Sequence, residues 1–462
     1  MSYRPDSGTL KRILSVAFPV SLEFVFQMSF NAIDQIIVGF LGAAALAGVG
    51  FSNSLASMAI LLATAFGTGS GALVAQAFGR KDMDAVSRTA SIALALAGGL
   101  GVVVALPLAF FSRPLLISLG AHEDVAEQAN GYFRLFLAAL PFIALSTVTS
   151  AAFRSLNDAK TPMLITTGAV ILNTLFAYVL VLGCGPIPRL GVIGAGLATL
   201  ISQGLRCIVL LCVFYRHHRD VNWVWPLPSV AVNSTLIEMV KLTGPIALSE
   251  LSWGASGFLY TLVFIHIGTT SLAASQITMA LENIFIVVSS GLGPAALVVV
   301  GQELGTRSVT TAKKHANVVL LLGLASSIVL GLLFANLSLL VRTLYPNVGD
   351  EVLQLVFWAI IILGAVQPVK VLNGIFGNGL LATGGDTRYI LLINFIGTYG
   401  VGLPLAILLG LFAQLGFYGV IIGKIADEII KLICFLVRYR TPAWYRKSLK
   451  AQIAQPSSLD AG

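Results

Sequence analysis

Long apolar stretches recur along the whole chain, separated by short polar breaks. A bilayer core about 30 Å thick needs about 20 apolar residues per helix. Twelve stretches meet that length: 13–40, 46–79, 87–111, 126–154, 161–184, 191–215, 236–267, 272–305, 314–341, 351–382, 388–411 and 416–438. Several exceed the minimum and are expected to tilt or protrude. In the first, SLEFVFQMSFNAIDQIIVG (Ser21 to Gly39), the polar residues Glu23, Gln27, Asn31 and Asp34 interrupt Leu, Phe, Val, Met and Ile. At about 100° per residue these four share one helical face. A thin polar stripe on a lipid-compatible helix predicts a helix lining a cavity in a membrane protein.

Composition narrows the class. The 462 residues are 57% hydrophobic and 10% charged, with a mean hydropathy of +0.91. Soluble domains carry about 25% charged residues, so a soluble enzyme or binding module is excluded. The 46 glycines suit close helix packing in a bilayer. The net charge of +8 does not point to nucleic acid, because the basic residues sit at the ends of apolar stretches. Most fall on one side, from Lys11 and Arg12 through Arg80, Lys81, Arg154, Lys160, Arg216, Lys313 and Arg388 to Arg438 and Arg446. The other side receives little beyond Arg113, Arg189 and Arg342. By the positive-inside rule this predicts a multi-pass protein of the cell (inner) membrane with both termini in the cytoplasm. Met1 to Gly8 is polar and the first apolar stretch is too long for a signal peptide, so it reads as a first span.

Two halves are expected. Tyr215 to Asn233, YRHHRDVNWVWPLPSVAVN, reads as a cytoplasmic connector in which His217 and His218 are solvated. Pro19 and Pro245 stand at matching points of spans 1 and 7, an offset of 245 − 19 = 226. The same offset pairs GAAALA (42–47) with GTTSLA (268–273) and QAFG (76–79) with QELG (302–305). Later, LNDAKTP (156–162) resembles GGDTR (384–388), and GVIGAG (191–196) resembles GFYGVI (416–421). The predicted fold is all-α and integral to the membrane, with twelve transmembrane helices as two parallel six-helix bundles around a central cavity. The bundles are placed at 1–215 and 236–440, with a linker at 216–235 and a cytoplasmic tail at 441–462.

Ionisable residues inside the spans mark candidate chemistry, because each must find water, a partner or a cavity. Asp34 lies 22 residues after Arg12, roughly 33 Å along a helix at about 1.5 Å per residue, and is read as the energy-coupling group of a transporter. Glu23 lies on the same face. Glu250 in span 7 and Glu282 in span 8 are candidates for a cavity that attracts cations; Tyr260 occupies the repeat position of Asp34. Lys370 in span 10 is deep enough to need a partner, most simply a carboxylate or the lumen. Lys424, Asp427, Glu428 and Lys431 in span 12 have the spacing to neutralise one another. Cys184, Cys207, Cys212 and Cys434 form no metal or disulfide pattern. GTGSG (67–71) lacks the Lys-Ser/Thr of a phosphate loop and reads as close helix packing. No enzyme constellation, metal cluster or cofactor signature occurs in the sequence, and no segment outside the spans could house a nucleotide-binding domain. Transport energy must then come from an ion gradient.

Taken in order, these motifs resemble the multidrug and toxic compound extrusion (MATE) family over nearly the whole chain. The resemblance rests on Pro19 followed by Asp34 and Gly39, LGAAALAGVG (41–50), GTGSGALVAQAFGRKD (67–82) with its echo at 293–307, and FRSLNDAKTP (153–162) with LLATGGDTR (380–388). The single first-helix aspartate and the GGDTR form are most similar to the DNA-damage-inducible protein F branch. The resemblance implies efflux of small organic cations or amphipathic drugs across a bilayer by H⁺ or Na⁺ antiport with alternating access; two six-helix halves can form a complete pathway in one chain. It implies coupling by Asp34, joined by Asn173 in span 5 and Thr199 in span 6, and leaves Glu23, Gln27, Asn31, Glu250, Tyr260 and Glu282 as cavity candidates. Family members with a first-half cation site commonly carry an acid four residues after the asparagine, where this chain has Ala177. Those with a span-7 glutamate carry it eight residues after the proline, where this chain has Trp253. Both departures favour H⁺, which needs one basic site, over Na⁺, which needs several oxygen ligands. The rivals are a lipid-linked oligosaccharide flippase of the same superfamily and an integral-membrane lipid-modifying enzyme. The first would show more spans and an arginine-rich cavity; the second would show an acid or histidine cluster at one membrane face.

Overall fold

The computed structural model describes residues 7–118, 123–183, 188–224, 230–346 and 348–454. These are helical almost throughout, and no strand occurs among the described residues. Spans 1 to 6 are Ser7–Gly39, Ala43–Gly79, Met83–Phe110, Glu123–Ser155, Lys160–Leu182 and Gly191–His217. Spans 7 to 12 are Val230–Ile267, Thr269–Gly305, Val309–Leu344, Asp350–Leu381, Thr387–Phe412 and Gly416–Arg440. Short helices at Ser112–Ser118 and Ala443–Ala454 complete the set. Among the described residues, 11 helices are long and apolar enough to cross a membrane. Span 12 lies outside that group because Lys424, Asp427, Glu428 and Lys431 dilute its apolar run, although it is a continuous helix of 25 residues.

The internal repeat is written into the backbone. Span 2 ends with Lys81 at φ 60°, and span 8 ends with Arg307 at φ 61°. The hydrogen bonds match one for one. The Lys81 and Asp82 amides reach back to the Phe78 and Ala77 carbonyls, and the Arg307 and Ser308 amides to those of Leu304 and Glu303. This is the Schellman ending, which satisfies the last carbonyls of a helix. The turns after spans 4 and 10 repeat it, with Asn157 at φ 65° and Gly385 at φ 81°. Helix-interior prolines recur as well: Pro19 with Pro245, and Pro141 with Pro368.

The halves differ in helix regularity. Spans 10 and 11 widen into π-helical turns at Ile375–Leu381, Ile396–Gly402 and Leu408–Phe412. Their counterparts in the first half, spans 4 and 5, are α-helical throughout. Glycine clusters in the widened stretches permit this. At Gly402 an added Cβ would meet the Tyr260 hydroxyl and Asp427.

Leu22–Thr243 forms one compact unit, and the chain before Leu22 and after Thr243 forms the other. The divisions fall beside Pro19 and Pro245. The opening turns of span 1 thus belong with the second-half spans. Arg12 pairs with Glu303 at 2.8 Å and also bonds Gln302. The Gly291 amide donates to Ser21 Oγ at 3.2 Å, and any Cβ at Gly291 would strike the Ala17 carbonyl. In lipid, apolar surface gives helices little reason to associate, so small residues that let backbones approach carry the packing. Gly101 against Pro141 in the first unit and Gly331 against Gly364 in the second are such contacts.

Both units also close one end with a chain segment of their own. After span 6, His218 packs on Phe153 and Phe214, with ring centroids 5.5 Å apart in each case. The Asn222 and Val224 amides donate to Ser87 and Ser91, each at 3.0 Å. His218 is therefore not the solvated loop residue expected from sequence; the helix runs on to His217 and the aromatic pair draws the next ring inward. After span 12, Trp444 is fully buried and stacks on Tyr439, whose hydroxyl donates to Asn317. Lys313 sits over the Tyr445 ring, and Lys447 reaches Asp386 at 2.9 Å. Lys313 and Asn317 are the repeat positions of Ser87 and Ser91.

Candidate functional site

The first unit gathers polar side chains at two levels. Glu23 is enclosed: its carboxylate meets Arg154 and Arg206, each at 3.3 Å, and accepts from Thr166 at 3.0 Å. Arg206 stands mid-way along span 6, buried with its Nε unpartnered. Two guanidiniums thus share one carboxylate. The other level lies farther along span 1, around Asp34. There the Tyr132 hydroxyl donates to Asn53 Oδ1 at 2.8 Å, contacts Thr199 and lies within the field of Asp34. Asn173 Nδ2 donates to Ser202 Oγ at 2.8 Å, and Ser202 in turn donates to the Thr199 carbonyl. The wall around them is apolar: Ile37, Val38, Phe136, Ala177 and Val181 are buried together.

Asp34 is 5% exposed, and its Oδ1 has no hydrogen-bond partner. Asn173 Oδ1 is likewise buried and unpartnered. Among the described residues the buried acids are Glu23, Asp34, Glu282, Asp386 and Asp427. All but Asp34 hold a cation: Glu23 holds the two arginines, Glu282 holds Lys370, Asp427 holds Lys431 and Asp386 holds Arg438 and Lys447. Protonating a paired acid strands a buried cation at a cost of about 3–5 kcal/mol. Asp34 can gain or lose a proton without that penalty.

The remaining sequence candidates divide between the units. Gln27 is half-buried on span 1, and the Asn31 side chain lies outside the described residues. Glu250, Tyr260 and Glu282 belong to the second unit. Glu250 is half-buried, without an ion pair or hydrogen bond among the described residues. Lys370 finds the carboxylate its depth demands in Glu282, and Gln367 joins them at 3.5 Å. In span 12 only Asp427 and Lys431 pair, at 2.7 Å; Glu428 instead takes the Asn373 amide at 2.7 Å. Tyr132, Asn53, Ser202, Arg154 and Arg206 were missed by reading the sequence. Arg206 carried a usable signal, an arginine far inside an apolar span; the others look like ordinary packing residues until the helices are assembled. Neither a histidine–cysteine–carboxylate group suited to a metal nor a disulfide occurs among the described residues.

Comparison with known proteins decides the family. The MatE family model matches residues 19–179 and again residues 245–408, each match opening on one of the two repeat prolines. The chain belongs to the MatE family. It is a multi-pass membrane transporter and not an enzyme. A probable multidrug resistance protein NorM of Bradyrhizobium diazoefficiens is 28% identical over 445 residues, 92% of each chain. An uncharacterized transporter, YisQ, of Bacillus subtilis is 23% identical over 443 residues, 95% of each. The fold matches a crystal structure of MATE in the bent conformation with a TM-score of 0.86 at 21% identity, covering 96% of this chain and 100% of that one. For a MatE transporter the twelve-helix architecture read from the sequence is the family fold.

Proposed function

We propose that this MatE transporter exports small organic cations or amphipathic drugs by proton antiport with alternating access, and that Asp34 carries the proton. The observation that carries the reading is the state of Asp34: a buried carboxyl with a free oxygen and no resident cation, close enough to Tyr132 for its charge to be felt there. A proton and a substrate cation can then compete for one negative charge. Asn173 and Thr199 complete the coupling site. Gln27, Asn31, Glu23, Glu250, Tyr260 and Glu282 line or shape the path. The probable multidrug resistance proteins among its relatives support the substrate class. Two six-helix halves, at 1–215 and 236–440, suffice for a pathway in one chain. The single first-helix aspartate supports placement in the DNA-damage-inducible protein F branch. The lysine and arginine distribution supports an inner-membrane protein with both termini cytoplasmic.

One observation favours Na⁺ as a second reading. Asp34 Oδ1 and Asn173 Oδ1, both buried in the first unit, are unpartnered, and free oxygens are the ligands that Na⁺ requires. Purified protein in liposomes, loaded with a fluorescent organic cation and given H⁺ and Na⁺ gradients separately, tests both. Uptake driven by a pH jump alone, abolished in Asp34→Asn, is the expected result. Full activity in that variant would remove Asp34 from the mechanism, and uptake driven only by Na⁺ would replace the ion.

A further inference from the structure

The second unit holds a mixed-charge cluster that proton coupling does not use. Three lysines, Lys370, Lys424 and Lys431, stand among Glu282, Asp427 and Glu428 on spans 8, 10 and 12. Two of the lysines are satisfied: Lys370 by Glu282 and Lys431 by Asp427. Glu428, one helical turn beyond Lys424, takes the Asn373 amide instead. Lys424 is left with no ion pair and no hydrogen bond among the described residues. Its ammonium stands 5.6 Å from the centroid of the Tyr260 ring. The Tyr260 hydroxyl is itself buried and unpartnered. That ring is set in place by the absence of a side chain at Gly402, in the widened stretch of span 11.

A ring face attracts an ammonium but does not replace a counter-ion in a low-dielectric interior. Lys424 is half-buried rather than sealed. We propose that Lys424 is an anion-recognition point in the second unit, holding the carboxylate of an amphipathic substrate, with the Tyr260 hydroxyl as a second donor. This rests on the efflux reading above and refines its substrate class: the preferred cargo is zwitterionic, not purely cationic. Glu282 and Asp427 are each neutralised by a lysine, whereas Glu428, held only by the neutral Asn373 amide, keeps its charge one turn from Lys424, so a substrate carboxylate competes with it for that ammonium.

The test is equilibrium binding in detergent, by fluorescence anisotropy, of rhodamine 110, which carries a free carboxylate, and rhodamine 123, its methyl ester. The wild-type protein is expected to bind the carboxylate dye about tenfold more tightly than the ester, the worth of one charged hydrogen bond. Lys424→Met should erase that preference by weakening only the carboxylate dye. Lys424→Arg, which keeps the charge, should retain it and so exclude a folding defect. A wild-type protein without the preference, or a Lys424→Met variant that keeps it, overturns the proposal. If proton-driven uptake of both dyes fails in liposomes while the binding preference persists, the efflux reading falls and this one stands.

Discussion

Asp34 in the first unit and Asp427 in the second are both aspartates buried within spans, yet they are built to opposite ends. Asp427 lies against Lys431 and also accepts from Thr398. It belongs to a network in which Glu282 and Lys370 form a second pair. Asp34 has no cation beside it and one oxygen unclaimed. A buried pair fixes its own charge state, because neither member can neutralise without stranding the other. A lone buried acid leaves its charge to be decided by whatever arrives. The difference teaches where exchange is to be sought: the paired acids hold structure, whereas Asp34, like the half-buried Glu250, has no resident cation.

The largest effect that would break this contrast is on transport. Asp34→Asn should reduce pH-driven dye uptake to the protein-free level while leaving thermal unfolding in detergent unchanged, since no partner loses its counter-charge. Asp427→Asn should behave in reverse. It strands Lys431 and should cost about 3–5 kcal/mol, seen as a lowered unfolding temperature. If the two variants destabilise equally, the contrast fails. Tyr132→Phe sharpens it at a smaller scale. Loss of the bond to Asn53 is worth about 1 kcal/mol and should shift the pH midpoint of uptake without abolishing it. The smallest effect concerns His218, outside the spans. Burial against Phe153 and Phe214 holds its imidazole below the ordinary 6.5, with His217 adding to the depression and Asp158 and Asp220 opposing it. The folded form is then neutral where the unfolded form takes up a proton, so its contribution to stability is present above pH 6.5 and declines as pH falls below it. Hydrogen exchange of the Asn222 and Val224 amides, corrected for intrinsic rate, should quicken on acidification, and His218→Gln should remove that response.

Much of the fold could be read from the chain because a bilayer imposes one length scale and one periodicity. The twelve expected stretches coincide with helices to within a few residues at most ends, and the 226-residue offset reappears in paired turns, Lys81 with Arg307. The depth of Lys370 calls for a carboxylate or the lumen, and Glu282 supplies the first. What escaped is what depends on distant assembly. Glu23 meets Arg206 across 183 positions and Arg154 across 131. Lys424 and Glu428 have the spacing of a helical ion pair, yet Asn373 claims the glutamate. Local spacing says which groups can meet, and tertiary competition decides which do. The π-helical widening of spans 10 and 11 also left only scattered glycines as a trace.

The two end closures carry a historical consequence. In the first unit the segment after span 6 returns to Ser87 and Ser91, and in the second the helix after span 12 returns to the repeat-related Lys313 and Asn317. Each half therefore closes one end with its own trailing residues, while the last turn of span 8 also receives Arg12 from span 1. A protein that arose by doubling a self-finishing ancestor would be left in this state. Two fragments divided between Val224 and Val230 should accordingly co-purify when expressed together. Failure of either fragment to enter the membrane stably would show that the halves have since become dependent on covalent union.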